Sequence, residues 1–159
     1  STLFPYTTLF RSPYRFLSSH QTAIAQLAVQ YCDALVESGA ASSYFPGLSL
    51  SGAPNAVFGA PSPDPENPAT PSVGSAGKDL LIDPLINNMI TSVSTQPAGS
   101  ELKDYQPAPP GQGPQRLGLY ALIDQLNTCA GGPCPASRTK TIVKGTCAAV
   151  LGSGAVLID

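Results

Sequence analysis

The sequence predicts an all-α domain, a small bundle of about four helices with long proline-rich loops and disulfides. Three observations carry this. Apolar residues recur at helical spacing in separate segments of the chain. The 17 prolines and 15 glycines gather largely between those segments, where they mark loops. The four cysteines are even in number and lie on or beside the predicted helices.

The first predicted helix spans 18–37. Ser18 and Gln21 have the spacing of a capping box, and Leu17 stands just ahead of the cap. Ile24, Leu27, Ala28, Tyr31 and Leu35 share a face, with Cys32 beside them, and Gly39 suits a left-handed cap at the end. In SYFPGLSL, at 43–50, Tyr44 and Phe45 are expected to pack the loop back onto the helices. The stretch 51–76 holds Pro54, Pro61, Pro63, Pro65, Pro68 and Pro71 and reads as loop or semi-extended spacer.

A second helical region opens at Lys78. Asp followed by Pro is a favoured helix start, so Asp83-Pro84 predicts a short turn over 78–82 and then a helix from Pro84 to about Val93. Leu85, Met89 and Val93 mark its inner face, with Ile86 and Ile90 alongside. A second proline-rich connection covers 96–114. The third helix, 115–127, has Leu119, Leu122, Ile123 and Leu126 as its stripe. The last, 137–158, turns Val143, Cys147, Val150, Gly154 and Leu157 inward. Gly145, Gly152 and Gly154 each cost a helix about 1 kcal/mol relative to Ala, which close approach of a neighbouring backbone would offset. That places this helix at the centre of the bundle.

Residues 1–12, STLFPYTTLFRS, resemble in one reading frame the translation of a common short-read sequencing adapter, and they are set aside from the fold. The remainder, 13–159, is read as a single helical domain and as a fragment of a larger protein. Removing the segment takes away Arg11 and no acid, so the net charge moves from −2 to −3. Mild acidity argues against a nucleic-acid partner. No apolar run reaches the roughly 18 residues of a bilayer span.

Chemistry-bearing patterns are sparse. His20 is the one histidine, and no G-x-S-x-G elbow accompanies it. Cys129 and Cys134 lack the second pair of a zinc site, and neither C-x-x-C nor C-x-x-C-H occurs. There is no G-x-G-x-x-G and no phosphate loop. Asp64, Glu66 and Asn67 lack calcium-loop spacing. No cofactor, metal or catalytic residue is therefore assigned. The four cysteines admit three pairings. Proximity across the CAGGPC turn favours Cys129 with Cys134, which leaves Cys32 with Cys147 on the two strongest helices. Disulfides imply an oxidising compartment.

The segments LSSHQTAIAQLAVQYCDALVE, YFPG, LLIDPLINNMI and RTKTIVKGTCAAVLGSGAVLI resemble a helical region of large exported bacterial proteins that often accompanies LamG-type, concanavalin-like domains. Thr22 departs from the methionine of that pattern, and no LamG sandwich is present. The resemblance implies a secreted, periplasmic or cell-surface location and, as partners, other domains of the same exported protein. The expected function is a non-enzymatic structural or interaction module. A helper domain of an exported redox or cytochrome-like assembly, motivated by helix-borne His20 in a helical fold, is the alternative.

Overall fold

Six helices run through the described residues, with no strand among them. The computed structural model describes residues 13–64, 77–89 and 114–152. The readings for 1–12, 65–76, 90–93, 96–113 and 153–158 lie outside the described residues.

Helix α1, Pro13–Glu37, starts five residues before the expected cap at Ser18. Pro13 is its first residue, where a missing N–H costs nothing and the fixed φ already suits a helix. Ser18 therefore lies inside α1 and does not begin it. At the other end Gly39 adopts φ +78°, the left-handed conformation expected there. The inward stripe is Ala28, Cys32 and Val36, all buried, with Leu35 half-buried. Leu27 and Tyr31, expected inside, are 64% and 52% exposed. The expected stripe was wider than the contact, and the bundle covers the edge that carries Cys32.

The partner of α1 is the last helix, α6, Ser137–Gly152, which runs antiparallel to it. Cys32 meets Cys147, Asp33 meets Lys144, Glu37 meets Lys140, and Ala25 lies beside Gly152. Thr139, Ile142, Val143, Thr146, Cys147 and Val150 of α6 are buried. This helix also packs against α3, α4 and α5, described next, so it is central as expected. At Gly145 an added Cβ would lie 3.0 Å from Leu126 Cδ1, so the glycine leaves room for a side-chain tip and not for a backbone.

Two short helices fill the segment after α1. Helix α2 is Ala41–Tyr44 and α3 is Pro54–Phe58. The second corrects the reading of 51–76 as loop throughout. Pro54 stands at its first turn, and Phe58, 2% exposed, supplies an apolar anchor within the proline-rich stretch. Phe45 is buried as expected and meets Tyr44 edge to face with ring centroids 4.9 Å apart. Thr139 Oγ1 donates to the Gly52 carbonyl at 2.6 Å, fixing this segment to α6.

Helix α4, Gly77–Met89, is continuous, which corrects the expected break at Asp83. Pro84 sits inside it and removes one helical hydrogen bond, a cost of about 3 kcal/mol. Leu81, Ile82, Leu85 and Ile86 flank the proline and are all at most 1% exposed. Burying each such side chain contributes roughly 1.5–3 kcal/mol, so tertiary packing outweighs the local preference. The start of α4 requires glycine for a different reason. A Cβ on Gly77 would stand 1.6 Å from the Val57 carbonyl oxygen, because α4 begins against the backbone of α3.

Helix α5, Pro114–Leu126, matches the expected 115–127 to within one residue at each end. Leu119 and Ile123 are buried, and Leu122 and Leu126 half-buried. Its fully inward positions also include Arg116, Tyr120 and Asp124. These side chains define the polar centre of the molecule.

Candidate functional site: a buried ionic cluster between α4 and α5

Arg116, Tyr120 and Asp124 follow one another at intervals of four, which stacks them on one face of α5. Across from them, α4 presents Lys78, Asp79 and Asp83. Lys78 Nζ donates to Asp124 Oδ1 at 2.5 Å, with both side chains almost fully buried. Arg116 Nη2 donates to Asp79 Oδ1 and to Asp83 Oδ1, each at 2.6 Å. The Tyr120 hydroxyl donates to Asp79 Oδ1 and accepts from Arg116 Nε at 3.3 Å. The Tyr120 ring also lies beneath two cations, with Lys78 Nζ 5.9 Å and Arg116 Cζ 5.6 Å from its centroid.

The electrostatics follow from burial. Tyr120 is fully buried, and burial together with the Asp79 carboxylate pushes its phenol up to about 12, so it stays protonated and keeps donating. Burial pulls against the charge on Arg116, but its hydrogen bonds to Asp83 and Tyr120 more than offset that and hold it above the ordinary guanidinium range. Asp79 and Asp83 sit in the outer half of the cluster, with side chains 34% and 40% exposed. Asp79 also falls in the first turn of α4, where a negative charge is favoured by the helix dipole. Arg116 Nη1 is buried and has no hydrogen-bond partner among the described residues.

Chemically the cluster can hold two helices in register. Its donors and acceptors are aimed at one another across the α4–α5 contact. A second polar knot lies at the far end of α5, where Asn127 Nδ2 donates to Asn55 Oδ1 at 2.9 Å and to the Gly59 carbonyl at 3.0 Å. Arg138 Nε donates to the Leu126 carbonyl at 2.9 Å and so caps α5 from the start of α6.

The structure places the cysteines in two disulfides. Cys32 joins Cys147, with Cα atoms 5.9 Å apart, and Cys129 joins Cys134, with Cα atoms 5.3 Å apart. Both distances lie in the usual range for a disulfide. His20 is exposed on α1. Among the described residues no three His, Cys, Asp or Glu side chains are grouped as metal ligands. No described helix is long and apolar enough to cross a membrane. The apolar-stripe reading passed over Lys78, Arg116, Tyr120 and Asp124. The four-residue spacing on α5 was the signal that could have found three of them.

Comparison of the chain with protein-family models, curated proteins and solved structures returned no match.

Proposed function

We propose that this chain is a non-enzymatic structural or interaction module of a secreted or cell-surface bacterial protein. The observation that carries the reading is the Cys32–Cys147 disulfide, fully buried and joining two helices through cysteines 115 residues apart in sequence. Such a crosslink persists in an oxidising compartment and is rare where thiols are kept reduced. The ionic groups of α4 and α5 support the non-enzymatic part, because Lys78 pairs with Asp124 and Arg116 with Asp79 and Asp83 across the helix contact. The resemblance of four segments to the helical region that accompanies LamG-type domains supplies the partners, namely other domains of one exported polypeptide.

Fractionation of the source cells tests this, with an antibody to the domain and a thiol-reactive label. The expected result is recovery from the secreted or surface fraction with all four cysteines unlabelled. Recovery from the cytoplasm with four labelled thiols would refute it.

A further inference from the structure

The two disulfides stand in opposite surroundings. Cys32 and Cys147 are both 0% exposed, sealed between α1 and α6. Cys129 is half-buried on the turn between α5 and α6, where Ala130, Gly131, Gly132 and Pro133 are all exposed. A Cβ added to Gly131 or Gly132 would meet nothing within 4 Å beyond its chain neighbours, so the space around the turn is open. Cys134, at the other end of the bond, is only 5% exposed. A thiol arriving from solvent therefore meets Cys129 first. Access to the sulfur controls the rate of thiol–disulfide exchange, and exposed disulfides are the labile ones.

The turn also provides for an open state. Cys134 Sγ lies 3.3 Å from the Asn127 carbonyl oxygen. A disulfide sulfur carries no hydrogen, so in the closed protein this is a contact alone, whereas a Cys134 thiol has its acceptor already in place. The flanking helix ends are held without the bond. Arg138 Nε donates to the Leu126 carbonyl, and Asn127 Nδ2 donates to Asn55 and Gly59.

We propose that Cys129–Cys134 is a thiol–disulfide exchange site that takes a dithiol, while Cys32–Cys147 keeps the helices joined. A thiolate of the dithiol attacks Cys129 Sγ, and the Cys129–Cys134 bond breaks. Cys134 leaves as a thiolate, takes up a proton and donates a hydrogen bond to the Asn127 carbonyl. The second thiolate of the dithiol attacks the dithiol's own sulfur in the mixed disulfide and releases Cys129, which also takes up a proton. The dithiol loses two electrons and two protons, and the cysteine pair gains them. The exchange is stoichiometric, so it adds a redox-sensitive site to the module and no catalytic turnover.

Titration of the native full chain with dithiothreitol tests this, with iodoacetamide quenching and peptide mass mapping. The expected result is label on Cys129 and Cys134 at concentrations that leave Cys32–Cys147 closed and the helical circular dichroism unchanged. Excess oxidised glutathione added before the quench should close the bond again and remove the label. Labelling of all four cysteines together, opening of Cys32–Cys147 first, or failure to close again would overturn the proposal. Two variants then test which sulfur is attacked. Cys134→Ser should form a mixed disulfide with oxidised glutathione at Cys129 faster than Cys129→Ser forms one at Cys134. Equal rates or the reverse order would overturn the assignment of Cys129 as the entry point.

Discussion

Where α1 meets α6, the contact is apolar at its centre, crosslinked by Cys32–Cys147, and charged along its rim through Lys140, Lys144, Asp33 and Glu37. Where α4 meets α5, the charges lie inside, and Lys78, Arg116 and Asp124 are at most 4% exposed. The same residue types therefore do different work in the two places. On the rim they gain little, because water and salt screen them. Inside the α4–α5 contact they are costly to bury, and removing one partner leaves an uncompensated buried charge.

The largest expected effect comes from opening the crosslink. Replacing Cys32 and Cys147 together with Ala releases a loop of 115 residues, and the chain-entropy argument gives a loss of about 5 kcal/mol, read as a shift in the urea midpoint. Next comes the ionic cluster. Lys78→Met alone leaves the Asp124 carboxylate buried without its lysine and is expected to cost about 3–5 kcal/mol. Lys78→Met combined with Asp124→Leu should recover most of that loss, because two apolar side chains replace the pair. If the double variant is as unstable as the single one, the cluster is not acting as a pair.

These two effects show what the sequence could and could not reveal. The α1–α6 pair was legible because an apolar stripe and two cysteines are local patterns. So were the ends of α5 and the turn CAGGPC, whose Gly131 and Gly132 take φ values of +92° and +134°. The start of α1, the continuity of α4 through Pro84 and the helix at Pro54–Phe58 were not legible. In α4, burial of Leu81, Ile82, Leu85 and Ile86 overrides the local signal of Pro84, whereas in α3 Pro54 fits the first turn and only the burial of Phe58 sets it apart from the surrounding proline-rich chain. The ionic cluster was hidden for a related reason. A charged residue on a helix is ordinarily a solvated one, and only the partner helix shows that Arg116 and Asp124 face inward.

Tyr120 gives the third test, through pH. Its phenol rises from an ordinary 10 to about 12 on folding, so the stability it contributes is fully present below pH 10. That stability is lost as pH climbs from 10 through about 12. The size is on the order of 2–3 kcal/mol. Tyr120→Phe should flatten this part of the curve in alkaline denaturation, and an unchanged slope would contradict the arrangement.

The smallest effect belongs to the rim. The lysines Lys144 and Lys140 hold the Glu37 carboxyl below the usual range, and Asp33 and Glu37 raise Lys144. The contribution of Glu37 is present above its unfolded pKa and fades as pH falls below it. Lys144→Ala should therefore weaken the protein slightly at neutral pH and low salt, with no difference at high salt. A persistent difference at high salt would mean that Lys144 acts through packing.

The contrast rests on the covalent bond that closes the α1–α6 contact, and non-reducing peptide mapping of the oxidised protein examines that bond directly. The predicted fragments join Cys32 to Cys147 and Cys129 to Cys134. A fragment joining Cys32 to Cys129, or free thiol at Cys32, would contradict the account.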